Sequence, residues 1–408
     1  MKDKKKIFIW TLFDFANTSF SIVVVTFLYA VYFKKVVAQG QPIGDLYWSI
    51  GTSLAMIITA FISPVLGAIA DYSTGKKRFL LFFTLLCITA TSLLFFVGSG
   101  NILWGVILFV IANIGFEAGL VFYDAFLPEI TVPKNYGRVS GYGYAMGYLG
   151  SLATLAVVYP FIHADMIRES FPVAALFFLI FSLPLFLYIK DNRQKIENPE
   201  SYFKVGVTRV WNTLSHLKYH KNLAIFLLAY FFYIEGVNTI IFFSGNYAST
   251  TLGFSETELL LFFITVQTTA IGGSVVLGIL ADSIGQKKTI IITLFMWMIT
   301  LLIAFLITDK NGFYVVGLIA GAAMGSSQST SRSLMSKLTP PERKTEFFGF
   351  YSFFGKSSAV VGPLVFGLVS FLTGNQRYAI ISIGFFFLVG LLILLKVNDP
   401  KVTDTNLS

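Results

Sequence analysis

The sequence predicts an all-α membrane protein of twelve transmembrane helices, arranged as two six-helix bundles related by an internal repeat. Three observations carry this prediction. First, 55% of the 408 residues are hydrophobic and only 12% are charged, about half the charged share of a soluble chain. Second, the apolar residues form runs of about 20, the length a helix needs to cross a bilayer core of about 30 Å. Third, Gly67-Ala-Ile-Ala-Asp71, followed by Gly75 and Lys76-Lys77-Arg78, returns 211 residues later as Gly278-Ile-Leu-Ala-Asp282 with Gly285 and Lys287-Lys288. A repeat this long divides the chain into halves of about 200 residues.

The apolar runs cover residues 7–33, 44–70, 79–98, 102–128, 138–161 and 171–189, then 222–248, 258–280, 289–308, 312–335, 346–372 and 377–396. Backbone polar groups in lipid must be satisfied within the segment, so these are helices. The strand-like run Ile22–Phe27 does not alter this, because the run lengths do not suit a barrel. Lys4-Lys5-Lys6 before the first run resembles the basic end of a signal peptide. However, the run extends to Phe33, lacks a small-residue cleavage pattern and carries Asp14 and Asn17, so it is read as a retained span. The bundles are residues 1–190 and 222–408. Between them, 191–221 is a cytoplasmic linker in which Phe203, Val207, Val210, Trp211, Leu214 and Leu217 recur at helical spacing. Lys204, Arg209 and Lys218 lie elsewhere around that wheel, as in a helix resting on the inner membrane surface among lipids.

The net charge of +9 is a topology signal and does not point to nucleic acid. With the N-terminus inside, 24 of the 30 Lys and Arg fall at the inner ends and five in outer loops, and Lys356 lies within a span. That bias places both termini in the cytoplasm; in a bacterium the membrane would be the inner one. Cys87 is the single cysteine, so no disulfide forms within one chain. His216 and His220 lie one helical turn apart without a third ligand nearby, so no metal is expected. No phosphate loop, nucleotide-binding domain or Ser/His/Asp set is present, and no enzyme activity or cofactor is expected.

The repeat continues beyond the basic loops. Thr131-Val-Pro133 through Gly141 and Gly147 recurs 208 residues on as Thr339-Pro-Pro341 through Gly349 and Gly355. Asp14-Phe-Ala-Asn17 recurs as Glu235-Gly-Val-Asn238. Asp14, Glu117, Asp124, Glu235, Arg332 and Lys356 all fall inside apolar spans. Each would cost about 2.5–3.5 kcal/mol facing lipid at a helix centre. Six such costs exceed a usual net stability of about 5–15 kcal/mol, so these groups face one another, water or a ligand. Helical spacing places Asp14 with Asn17 on span one, Asn113 with Glu117 and Asp124 on span four, Glu235 with Asn238 on span seven, and Gln328 with Arg332 on span ten. Lys356 lies on span eleven. Trp10, Trp48 and Trp104 sit near span ends, as in an interfacial belt. Gly143, Gly147, Gly272, Gly273 and Gly278 form small faces for close helix approach, and Gly362-Pro363 is expected to bend span eleven.

The repeated Gly-x-x-x-Asp loop resembles the loop after the second helix of the major facilitator superfamily, repeated there after helix eight. The first copy is one residue longer, with Tyr72 where that family commonly has a base. Trp10-Thr-Leu-Phe-Asp14-Phe-Ala-Asn17, Phe122-Tyr-Asp-Ala-Phe-Leu-Pro128-Glu129, Gly137-Arg-Val-Ser-Gly141 and Gly355-Lys356 through Gly362-Pro363 resemble, more narrowly, the autophagy-associated vacuole effluxer family. The resemblance implies a central cavity lined by helices one, four, seven and ten, the four helices that the polar pattern marks independently. It also implies a cytoplasmic gate at the two loops. The expected gate comprises Gly67, Asp71, Gly75, Lys77, Gly278, Asp282, Gly285 and Lys288, with Asp124, Arg138 and Arg332. Asp124 and Arg332 occupy equivalent repeat positions and are expected to pair as a latch.

The expected function is secondary active transport of a small polar solute by alternating access, by a protein taken as a monomer. The expected pathway is Asp14, Asn17, Asn113, Glu117, Glu235, Asn238, Gln328 and Lys356. Acids in the first half and bases in the second suit a zwitterion such as an amino acid, and the fungal member of the family is linked to vacuolar amino-acid export. They equally suit walls that neutralise each other. Glu117 and Glu235, near mid-span, are the candidate proton carriers. The alternatives are a uniporter or exporter of another metabolite, or a receptor or lipid-handling protein on the same fold.

Overall fold

The computed structural model describes residues 4–73, 75–191, 201–359 and 361–400. Thr74 of the first repeated loop and residues 192–200 of the expected linker lie outside the described residues. All regular structure described is helical. Eleven stretches among the described residues are long and apolar enough to cross a membrane.

The first stretch contains α1 (Lys4–Phe20), a π-helical turn over Ser21–Thr26, α2 (Leu28–Tyr32) and a second π turn over Phe33–Val37. The first π turn coincides with the β-branched run Ile22-Val-Val-Val-Thr26, whose side chains crowd the preceding turn of a regular α-helix. Then come α3 (Ile43–Ser73), α4 (Lys76–Leu93), α5 (Ile102–Asp124), the short α6 (Leu127–Ile130), α7 (Tyr136–His163) and α8 (Ser170–Tyr188). α9 (Tyr202–Ser215) falls on the expected linker helix. Its Gly206 is buried against Ile69 and the Val65 carbonyl of α3, while Phe203 and Trp211 are exposed.

The second half contains α10 (Lys221–Thr250), α11 (Glu256–Ile284), α12 (Gln286–Leu306), α13 (Lys310–Leu338), α14 (Lys344–Ser358), α15 (Val361–Thr373), α16 (Gln376–Ser382) and α17 (Gly384–Leu394). α13, which covers the expected span 312–335, is not among the eleven apolar stretches. The run Ser326-Ser-Gln-Ser-Thr-Ser-Arg-Ser333 lowers its hydropathy, although every residue in that run except Gln328 is buried. Where a bend was expected at Gly362-Pro363, α14 ends at Ser358 and α15 starts at Val361. Pro363 thus sits in the first turn of α15, where its missing N–H costs nothing.

The chain divides into two compact units that do not coincide with its two sequence halves. Unit 1 holds Met1–Phe126, Met146–Asn212 and Pro341–Phe353; unit 2 holds Leu127–Ala145, Thr213–Pro340 and Phe354–Ser408. Each unit therefore takes one short segment from the opposite half, the start of α14 in unit 1 and the start of α7 in unit 2.

In unit 1, α1 packs on α5 and α8 through aromatic rings. Tyr123 stacks on both Trp10 and Phe13 with centroids 4.8 Å apart. Trp10, expected in an interfacial belt, is fully buried. Its indole N–H donates to the Tyr123 carbonyl at 3.3 Å, which satisfies the one polar atom such a burial strands. Trp104 is exposed. In unit 2, Trp297 stacks on Phe387 at 5.7 Å, and Phe254, Phe262 and Phe313 form a second aromatic cluster.

α4 and α5 meet backbone to backbone at Gly115. A Cβ there would lie 2.7 Å from the Cys87 nitrogen and 2.8 Å from the Phe83 carbonyl oxygen, and backbone cannot rotate away as a side chain can. Gly115→Val is expected to destabilise unit 1 by about 1–3 kcal/mol through overpacking. A thermal unfolding curve in detergent that matched wild type would contradict this packing.

Candidate functional site: two carboxylate clamps and a set of buried polar groups

Asp71 and Asp282 perform the same task in different units. In unit 1, α3 carries Gly67 and Asp71 one turn apart. A Cβ on Gly67 would overlap the Thr345 carbonyl, so glycine lets α3 lie against the start of α14. Asp71 then reaches that start: its Oδ1 accepts the Thr345 N–H at 3.1 Å and its Oδ2 the Glu346 N–H at 2.8 Å. The first N–H groups of a helix have no partner within it and carry partial positive charge. A carboxylate from another helix satisfies both needs.

Unit 2 repeats the arrangement. A Cβ on Gly278 would lie 2.8 Å from the Gly137 carbonyl, and Asp282 accepts the N–H groups of Gly137 at 2.7 Å and Arg138 at 3.1 Å, at the start of α7. Positions 137 and 138 correspond to 345 and 346 at the repeat spacing of 208. The clamps differ in one respect. Arg138 also donates its Nε to Asp282 at 2.7 Å, whereas the equivalent residue beside Asp71 is Glu346, fully buried. The base near Asp71 is Lys76, buried with its Nζ on the Ala125 carbonyl at 3.1 Å and above the Phe126 ring.

Arg332 reinforces the second clamp. Its Nε donates to the Ser140 hydroxyl and its Nη2 to the Ser140 carbonyl, both at 2.9 Å. Its guanidinium lies 4.3 Å from the Tyr144 ring centroid, and Ser140 Oγ donates to the Ser329 carbonyl at 2.7 Å. Asp124 ends α5 and belongs to unit 1.

The basic loops anchor chain ends. Lys77 donates its N–H to Asp191 at 3.1 Å and its Nζ to the Ile189 carbonyl at 2.6 Å. Its structural counterpart is Lys287, which donates to Asp399 at 3.0 Å and the Leu395 carbonyl at 2.7 Å. Lys288, matched to Lys77 by the sequence spacing, is exposed; the extra residue in the first loop shifts the register by one. Gly75 has φ −133°, a backbone any residue adopts. Gly285 has φ +101°, so only its turn depends on glycine.

The mid-span groups separate by how well they are satisfied. Asp14 is buried and accepts the Tyr123 hydroxyl at 2.7 Å, which ties it into the α1–α5 core. Asn17 and Asn113 are also buried, yet Asn17 Nδ2 and both polar atoms of Asn113 meet no hydrogen-bonding group of the protein among the described residues. Such a group costs about 1–3 kcal/mol, a cost a polar solute or water removes. Glu117, one turn from Asn113, is half-buried. In unit 2, Glu235 is fully buried; its Oε1 accepts the Gly362 N–H and the Thr239 hydroxyl, and its Oε2 is unmatched among the described residues. Asn238, Gln328 and Lys356 are half-buried.

The sequence reasoning missed Tyr123, Ser140, Thr239, Thr345, Glu346 and Gly362. A signal existed for Thr345 and Glu346, since the repeat maps Gly137 and Arg138 onto them. The others act through hydroxyls or backbone that no charge pattern marks.

Residues 47–406 match the family described as vacuole effluxer Atg22 like. An uncharacterized MFS-type transporter, YxiO of Bacillus subtilis, is 31% identical, with 97% of this chain and 96% of that protein covered. Autophagy-related protein 22 of Kluyveromyces lactis is 27% identical, with 86% and 80% covered. Among solved structures, the major facilitator proton:xylose symporter XylE superposes with TM-score 0.75 at 15% identity, covering 97% of this chain and 96% of that one. The human organic anion transporter MFSD10 superposes with TM-score 0.77 at 14% identity, covering 97% and 100%. At these identities the structural likeness establishes the fold.

Removing the charge of a clamp weakens charge-assisted hydrogen bonds worth about 1.5–3 kcal/mol. Asp282→Asn is expected to speed hydrogen exchange at the Gly137 and Arg138 amides about tenfold or more. Asp71→Asn should do the same at Thr345 and Glu346, by less, because no arginine is lost there. Unchanged protection in both variants would show that the carboxylates do not hold these helices.

Proposed function

The chain belongs to the vacuole effluxer Atg22-like family of major facilitator transporters, and from that premise we propose that it moves a small polar solute by alternating access, driven by protons. Transport across a membrane by a multi-pass integral protein follows from family and fold; substrate, coupling and orientation are our reading. The observation that carries it is the pair of clamps. Each holds the start of a helix from the opposite sequence half through a carboxylate and two N–H groups, a contact strong enough to close a gate and local enough to release. The positive-inside bias of the loops puts these clamps on the cytoplasmic side, with both termini.

Twelve transmembrane helices, counting α13, suit this reading. At 1.5 Å per residue its 29 residues extend roughly 43 Å, beyond a bilayer core of about 30 Å, and its polar run is buried rather than turned to lipid. The compact bundles act as a monomer in contact with lipid. Asn17, Asn113 and Glu117 of unit 1, and Glu235, Asn238, Gln328 and Lys356 of unit 2, are the residues proposed to meet the solute or the proton, with acids for an ammonium and Lys356 for a carboxylate. Asp14, bonded to Tyr123, contributes by fixing α1. An amino acid is the substrate class this set favours.

Purified protein in sealed vesicles, offered labelled amino acids, peptides and sugars, should accumulate one class and respond to an imposed pH gradient. Glu117→Gln or Glu235→Gln should remove that response. Flux indifferent to the gradient in wild type would eliminate proton coupling.

A further inference from the structure

In unit 2 the carboxylate of Glu235 also meets a helix start. In the first turn of α15 (Val361–Thr373), Glu235 Oε1 accepts the N–H of Gly362. The Thr239 hydroxyl donates to the same oxygen at 3.3 Å, while the Ser358 hydroxyl donates to the Gly355 carbonyl at 2.9 Å. A Cβ on Gly362 would overlap both Thr239 Oγ1 and Glu235 Oε1, so the carboxyl occupies the space a side chain would take. Pro363 supplies no N–H, which leaves the first turn of α15 short of one donor. The partial positive charge of that turn therefore rests on few groups, and one of them is spent on Glu235.

Glu235 is fully buried, and its second oxygen, Oε2, finds no partner among the described residues. The described ionisable side chains on the helices of unit 2 around it are Lys221, Tyr230, Tyr233 and Tyr247 on α10, Glu258 and Asp282 at the two ends of α11, Lys310, Tyr314, Arg332 and Lys337 on α13, and Lys356 on the part of α14 in this unit. Tyr233 is bonded to Ser331 at 2.7 Å, Arg332 to Ser140, Glu258 to Lys310 at 2.8 Å and Asp282 to Arg138. α15 and α17 contribute none.

We propose that Glu235 is the proton-binding group of unit 2, and that the first turn of α15 registers its charge. Ionised, the carboxylate holds the Gly362 N–H and seats the first turn of α15. A proton arriving on Oε2 removes the charge that the helix start attracts, weakens the bond at Oε1 and releases that turn. The proton comes from and returns to water, and no other bond changes. The proposal rests on the proton-coupled reading above and adds the element that responds to the proton.

Hydrogen exchange at the amides of Val361, Gly362 and Leu364 tests it without any substrate. After correction for the intrinsic pH dependence of exchange, wild-type protection should fall about tenfold or more from mildly alkaline to mildly acidic pH. Glu235→Gln, a neutral isostere, should show the low protection at every pH. Protection that is constant with pH in wild type, or a Glu235→Gln profile that follows wild type, overturns the proposal. If the variant fails to fold, the wild-type series decides alone. pH-responsive exchange combined with flux that ignores a pH gradient would uphold the switch at Glu235 and discard proton-driven transport, so the two readings fail separately.

Discussion

A helix start attracts an anion, and at three helix starts beside a close-packed glycine the anion is a carboxylate from a distant helix. Asp71 supplies it to α14, Asp282 to α7 and Glu235 to α15. In each case the carboxylate is on a different helix from the amides it holds, and a glycine makes room for the contact: Gly67, Gly278 and Gly362. Local caps of this kind fix one helix end. A cap reaching across helices fixes the relative position of two, and its strength depends on the charge of one side chain. Rigid helices joined by contacts of this type can separate without unfolding.

The repeat shows how such a design is adjusted. Backbone donors are preserved in both clamps because any residue offers an N–H, so the geometry tolerates Gly137 and Arg138 in one half against Thr345 and Glu346 in the other. Side-chain charge is not preserved. Arg138 adds an ion pair to Asp282, while Glu346 sets a second acid beside Asp71 and Lys76 is the nearby base. The two clamps thus have like shape and unlike charge. The pairs Lys77–Asp191 and Lys287–Asp399 follow the same logic, joining the start of α4 or α12 to the chain leaving the last helix of its half.

Much of this was legible in the sequence because it depends on periodicity and charge. Run length and backbone satisfaction in lipid require helices, and the recurrence of Gly-x-x-x-Asp located both clamps. What the sequence concealed is physical in origin. The amides that Asp71 and Asp282 hold belong to backbone, which has no residue signature. The π turn at Ser21–Thr26 reflects crowding among β-branched side chains that an apolar count treats as ordinary. Trp10 lies near a span end, where indoles often reach water, yet Tyr123 offers both a ring and a carbonyl and draws it inward. Lys288 was matched to Lys77 because a spacing cannot tell where an extra loop residue is absorbed.

The unsatisfied polar groups complete the picture. Asp14 and Asn17 lie one turn apart on α1, but Asp14 has Tyr123 and Asn17 leaves its amide nitrogen unmatched; Asn113 leaves both its polar atoms so, and Glu235 one oxygen. Mutual pairing would stabilise the fold but leave nothing for a solute. Each such atom costs about 1–3 kcal/mol, a cost that a donor, acceptor or proton reaching it removes. The clamps supply the compensating stability elsewhere in each unit. Under the proposed transport function, Asn17, Asn113 and Glu235 keep capacity for a polar solute or a proton, whereas Asp14 spends its own on Tyr123.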